Sequence, residues 1–312
     1  MLKKWLILAA ALLLILAGCS KEKTVSEHAD KGIGSSPKET GAQYSYPLTG
    51  LKTNEEPEGR AFAVVINNHP KARPQSGLDK ADIIYEVLTE GKVTRFLAVF
   101  QSSSAERIGP VRSARDYFIE LAKGYDAFFV AHGYSPEAKQ LLSSGYIDNI
   151  NGMQYDGTLF KRSSDRVAPH NSYISTKNII KGGENLGYDL EKPPASLTFL
   201  SDGEIEGLNG EKAVDIKVSY SNSQFDVTYK YDEKQEKYER YTSGQITKDL
   251  DSGNPVLLDN IFIVETNHKV VDNAGRRDVD LVSGGKGLLF QKGVCKEVEW
   301  KNIDGRILPF EN

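Results

Sequence analysis

The chain runs to 312 residues and sets 39 Lys and Arg against 43 Asp and Glu, a formal net charge of −4 at pH 7. That acidic balance argues against a general nucleic-acid binder, whose affinity comes from neutralising phosphates. Two cysteines exclude a disulfide-stapled scaffold, and the length is ample for a large core and suggests two domains.

Taken in order, residues 1–18 read as a targeting segment. Lys3 and Lys4 give a short positive start, and Trp5 to Leu16 form an apolar stretch too short to span a bilayer comfortably. The segment closes on Leu16-Ala17-Gly18-Cys19, which looks like a bacterial lipobox. Its small residues admit a signal peptidase, and the Cys19 thiol receives a diacylglyceryl group. Two or more acyl chains, palmitate among them, make a stable anchor where one would be marginal. The expected location is therefore the extracytoplasmic face of the cell membrane, with the membrane itself a partner through lipid on Cys19. An ordinary secretory signal with a stray cysteine and an uncleaved anchor are the alternatives. Cleavage would remove two lysines and no acid, leaving a net charge of −6. Cys295 would then be the one remaining thiol, and it reads as a small apolar strand residue rather than a nucleophile.

Residues 19–59 are rich in Lys, Glu, Ser, Gly and Pro and read as a flexible tether, with the Tyr44–Leu48 patch placed to dock on the folded body. Arg60 to Ile66 is an apolar run fit for a buried strand. Ala81–Leu88 and Val93–Phe100 flank Glu90-Gly91-Lys92 as a hairpin. Arg107 to Tyr125 reads as a Gly-Pro turn running into an amphipathic helix, with Ala114, Phe118, Leu121 and Ala122 on one face. A strand over Ala127–Ala131 ends at His132. Ser135 caps a short helix that begins at Pro136. Asn149 to Ser172 is a polar loop of a length that is uncommon without a role, and Thr176 to Leu186 reads as a further helix. Past Pro193-Pro194 the pattern becomes one of short alternating strands with Gly-, Asn- and Asp-rich turns. The expected fold is an α+β (or α/β) ligand domain over 60–190, followed by a mostly antiparallel β domain over 195–312.

Arginine usage separates the halves. Residues 60–180 hold eight Arg and seven Lys against twelve acids, whereas residues 181–312 hold four Arg and thirteen Lys against twenty-four. Arginine is favoured where a planar fork must grip an oxyanion. The chief oddity is the start of the Arg107–Tyr125 stretch, where Arg112 and Arg115 crowd what reads as the first turn of a helix. Cations at a positive helix end repel unless an anion is shared between them. The expected ligand set is Arg73, Arg95, Arg112, Arg115, Asp116, His132, Arg162, Arg166, His170 and Asn171, in one anion-binding cleft. The competing reading is a structural network in which carboxylates neutralise these arginines.

At this point the chain resembles a known family. Arg73-Pro-Gln-Ser-Gly-Leu-Asp-Lys-Ala-Asp82, Thr94-Arg95-Phe96, Ile108-Gly-Pro-Val-Arg-Ser-Ala-Arg115 and Ala168-Pro-His-Asn171 look like the signatures of the YerB-like lipoproteins of Gram-positive bacteria. The resemblance implies a domain of unknown function followed by a smaller C-terminal domain, and it carries over no catalytic residue.

Other constellations are weaker. His69, His132 and His170 lack the close spacing of a helical metal-ligand pair, so no metal and no cofactor are expected. Ser135, His132 and Asp116 make a poor triad, because Ser135 is explained as a cap and no Gly-x-Ser-x-Gly elbow exists. Three functions compete. The first is a lipoprotein that binds a phosphate- or carboxylate-bearing envelope polymer or lipid phosphate. The second is an enzyme transferring or hydrolysing a phosphoryl group on such a ligand. The third is a scaffold whose acidic β domain docks a protein partner.

Overall fold

A computed structural model describes residues 42–311. The signal segment, Cys19 and the tether up to residue 41 lie outside the described residues. The N-terminal half is built on a five-stranded mixed sheet. Its strands are β1 (Phe62–Asn67), β2 (Ile83–Leu88), β3 (Thr94–Phe100), β4 (Phe128–Ala131) and β5 (Asn149–Asn151), in the order β2-β3-β1-β4-β5. The β2–β3 hairpin and the β1–β3 pair are antiparallel, whereas β1–β4 and β4–β5 are parallel. β1 and β4 read as unbroken apolar runs because both faces of the sheet are covered. Val65, Leu97 and Phe129 pack under α1 (Asp116–Lys123). Val64, Phe96 and Val130 pack on the opposite face, towards α4 (Thr176–Asn185). Between them in sequence, α2 (Pro136–Ser143) opens on Ser135, whose hydroxyl accepts from the Ala138 amide at 3.2 Å, and α3 (Gly152–Tyr155) is a single turn after β5.

The C-terminal half is antiparallel throughout. β6 (Asp215–Val218), β7 (Val227–Asp232) and β8 (Lys237–Thr242) form one sheet, joined on β8 by the short pairings of Gln245–Ile246 and Leu257–Leu258. β9 (Asn260–Val264), β12 (Gly285–Gln291), β13 (Val294–Ile303) and β14 (Arg306–Phe310) form a second, with Glu211–Lys212 added to β13. A hairpin of β10 (His268–Val270) and β11 (Arg277–Val279) stands apart from both sheets. Among the described residues, no sheet takes strands from both halves.

The halves nonetheless share a core, and residues from Ala42 onward form one compact unit. Val279, Trp300 and Ile307 enter the cluster that contains Phe118 and Phe129. The Trp300 indole N–H donates to the Glu265 carbonyl at 2.8 Å, so its one polar atom is satisfied. A buried ion pair, Arg240 to Glu86 at 2.8 Å, and the Arg306 bond to the Gly124 carbonyl at 2.8 Å cross between the halves. Gly124 is required there, because a Cβ on it would lie 2.4 Å from the Gly305 carbonyl.

Three expectations need correction. Residues 42–59 are more than tether: Tyr44–Ser45 pairs with Lys52–Thr53, and Leu48 is buried in the main core. The long polar loop contains β5 and α3, which were hidden because their residues are mostly polar. Arg112 is not in a helix. Its amide donates to the Val65 carbonyl and its own carbonyl accepts from the His132 amide, so the backbone runs extended between β1 and β4, and the helix starts only at Asp116.

Candidate functional site

The parallel strands converge on one polar rim. β1 ends at Asn67, β4 runs out into His132, and β5 ends at Asn151, so the carboxyl ends of all three strands open towards the same edge. In open α/β sheets this is the edge where ligands bind. Arg112 crosses it, stitched between β1 and β4 by its own backbone.

Glu90, at the β2–β3 turn, organises the back of this rim. Its Oε2 accepts from Arg95 at 3.0 Å, and its Oε1 accepts from Arg115 Nε at 2.6 Å and from Arg115 Nη2. Arg95 also donates to the Ser113 carbonyl, and Arg115 to the Ala114 carbonyl. Both arginines are nearly buried. Burial pushes the Glu90 carboxyl up, but Arg95 and Arg115 outweigh it and hold the group below its usual range. Burial, with Arg115 close by, brings Arg95 down to about 10. For these two residues the carboxylate-network arrangement is the one observed.

Arg112 differs. Among the described residues it has no carboxylate partner; its one side-chain hydrogen bond is Nη1 to the Pro169 carbonyl at 3.4 Å, and its buried Nε is unpaired. Beside it, His69 and His170 stack with ring centroids 4.7 Å apart and an angle of 27°. His69 Nδ1 accepts from the Lys71 amide at 3.2 Å. His170 Nδ1 lies 2.9 Å from Asn67 Nδ2, and Asn67 is oriented because its Oδ1 accepts from the His69 amide at 2.9 Å. Both rings therefore accept at Nδ1 and, when neutral, carry their proton on Nε2. Burial lowers both pKa values; Lys71, Arg73 and Arg112 lower His69 further, and His69, Arg112, Lys71 and Arg166 do the same to His170.

The remaining expected residues are committed elsewhere. Arg162 grips Asp156 through Nε and Nη2, donates to Asn171 Oδ1 at 3.1 Å, and lies 3.1 Å from His132 Nε2. Because a guanidinium only donates, His132 must accept at Nε2 and give its Nδ1 proton to Ser172 Oγ at 2.8 Å. His132 is thus locked as a neutral structural ring, its pKa lowered by burial and then by Arg162. Gly152 must be glycine, since a Cβ would meet the His132 ring. Arg166 fastens its loop to the Ala72 and Pro74 carbonyls, at 2.7 and 2.6 Å. Arg73 binds the Asn68 carbonyl, reaches the Gln224 carbonyl at 2.7 Å and covers Phe225, joining the halves. Asp116 does not face the arginines at all. It lines a separate cleft of about 580 Å³ with Glu120, His268, Asp278 and Asp280, and burial raises its pKa.

Of the ten expected residues, Arg112 and His170 lie together at this rim, beside His69, and the other eight are held in contacts elsewhere. His69 drew notice only as a weak metal ligand, and Glu90 only as part of a turn. Among the described residues no cluster of three or more His, Cys, Asp or Glu suits a metal ion.

The lowered histidine pKa values have a consequence for stability. A group whose folded pKa is depressed stabilises the fold fully above its ordinary value, here 6.5, and that stability is lost as pH falls through the folded value. In buffer free of oxyanions, the melting temperature is expected to drop between pH 7.5 and 5.5. The drop should be smaller in the His69→Asn, His170→Asn double variant. Parallel curves for the two proteins would count against the protonation assignment.

A two-part protein with a mixed-sheet domain, an antiparallel β region and a polar rim at the strand ends is the class defined so far. The chain belongs to the DUF3048 family, proteins of unknown function: the N-terminal domain of that family matches residues 48–189 and the C-terminal domain residues 216–312. It is 45% identical over 316 residues to the protein named "Putative lipoprotein YerB" of Bacillus subtilis (strain 168), covering 100% of this chain and 91% of that one. The crystal structure of YerB from Bacillus subtilis superposes with a TM-score of 0.81 at 49% identity, over 86% of this chain and 91% of that chain.

Proposed function

We propose that this protein is a lipoprotein, held at the extracytoplasmic face of the cell membrane by lipid on Cys19, that binds an anionic envelope ligand at Arg112, His69 and His170. The single observation behind the binding reading is Arg112: a half-buried guanidinium with no carboxylate among the described residues, beside two histidines whose Nδ1 atoms are already occupied. Burying a cation without a counter-charge is costly, and a bound phosphate or carboxylate removes that cost. In this reading the 60–190 segment is the ligand domain and the 195–312 segment its support.

The anchor and the site are tested separately. Cys19→Ala is expected to shift the protein from the membrane fraction to soluble or uncleaved forms; unchanged fractionation and precursor size would refute the anchor. For the site, calorimetric titration of the detergent-solubilised full chain with glycerol phosphodiester oligomers at low and high salt is the direct measurement. Saturable, salt-weakened binding is expected, and no heat at either salt concentration would refute it.

A further inference from the structure

Asn67, the last residue of β1, is buried and held at each of its polar atoms. Its amide donates to the Pro110 carbonyl at 2.8 Å, and its carbonyl accepts from Gln75 Nε2 at 3.1 Å. Its Oδ1 accepts from the His69 amide at 2.9 Å, so the side chain cannot turn over, and Nδ2 is the atom set 2.9 Å from His170 Nδ1. An amide nitrogen only donates. His170 must therefore accept at Nδ1, which leaves its proton on Nε2, where no hydrogen-bond partner lies among the described residues. The surroundings of the ring favour this neutral state. His69 stacks on it, and Arg112, Lys71 and Arg166 face it, with no carboxylate among them, so an imidazolium there would lack a counter-charge. His69 is fixed by different means: its Nδ1 caps the short turn Pro70–Ala72 by accepting from the Lys71 amide. The two rings reach the same tautomer independently.

Resting on the oxyanion reading above, we infer that Asn67 is a positioning residue of this site: it keeps neutral His170 in the form that donates from Nε2, so the anion is held without a protonated histidine. The reverse tautomer would turn a lone pair at Nε2 towards the anion. Asn67→Asp is the isosteric test, because one carboxylate oxygen still accepts from the His69 amide while the other demands a proton from His170 Nδ1. Two-bond proton–nitrogen NMR of the histidine-labelled, detergent-solubilised full chain at pH 8.5 reads which ring nitrogen carries the proton, and His170→Asn assigns the signal. The wild type is expected to show Nε2–H on both rings, and Asn67→Asp to move His170 alone to Nδ1–H. Calorimetric titration with dimethyl phosphate, which stays a monoanion throughout, reads the consequence. Wild-type affinity should stay level between pH 7.0 and 8.5. Asn67→Asp should bind about 10-fold or more weakly than the wild type at pH 8.5, and recover towards it as pH falls and His170 regains its Nε2 proton. A gap that stays constant with pH would reflect only the added negative charge and would overturn the positioning role. Nδ1–H on His170 in the wild type would overturn it without any variant, as would an unchanged His170 tautomer in Asn67→Asp. Absence of dimethyl phosphate binding by the wild type would instead refute the oxyanion reading, and the role of Asn67 with it.

Discussion

Arg112→Ala is expected to weaken oxyanion binding by about 10- to 150-fold, the equivalent of one charge-assisted hydrogen-bond set worth about 1.5–3 kcal/mol. The melting temperature should stay the same or rise slightly. Arg112 makes one long contact to a carbonyl and leaves a buried Nε unpaired. Its pKa is lowered by burial and by Arg115, only partly offset by Glu90, so the folded protein holds this cation at a cost. Arg112→Lys should lie between the two, since an ammonium keeps the charge and loses the planar fork. Calorimetry with dimethyl phosphate and differential scanning calorimetry of the same samples check both halves of the expectation. Unchanged affinity, or a large fall in melting temperature, would remove Arg112 from the site.

Glu90→Ala should do the reverse, costing about 3–5 kcal/mol of stability because it leaves the buried Arg95 and Arg115 facing each other without a counter-charge. Glu90→Gln should recover part of the loss by keeping an acceptor. The pH dependence follows from the depressed Glu90 pKa: its contribution is complete above 4.5 and is lost as pH falls through the folded value. The Glu90 loss begins only below 4.5 and the histidine loss already at 6.5, so the upper part of one melting series reads the histidines alone. The turn is also held from the other half. Arg277, on β11, donates to the Thr89 carbonyl at 3.0 Å and to the Gly91 carbonyl at 2.6 Å. Denaturant unfolding of the Glu90 variants at pH 7 measures the cost, and a loss below about 1 kcal/mol would mean that the pair behaves as an exposed one.

Much of the architecture was legible in the residue pattern. The apolar runs at 60–66 and 127–131, the hairpin about Glu90 and the cap at Ser135 are local signals, set by side-chain period and turn chemistry within a few residues. The alternating strands beyond residue 210 are of the same kind, as is the uneven use of arginine that pointed to the N-terminal half. Which arginine stays free was not legible. Arg95, Arg112 and Arg115 look alike in one dimension, and their difference comes from Glu90, which lies 25 residues before Arg115 yet bonds to it directly. The path of Arg112 was hidden for a related reason. Its backbone is fixed by pairing with Val65 and His132, a non-local choice that overrides a helix-like pattern. Histidine roles depend on the same folding step, since the donor opposite each Nδ1 is either a side chain or an amide brought there by the turn. Sequence by itself determined most of the strands, the cap at Ser135 and the half of the chain that is rich in arginine; only the tertiary structure shows which arginine lacks a carboxylate, because that depends on every nearby carboxylate having been placed against another partner.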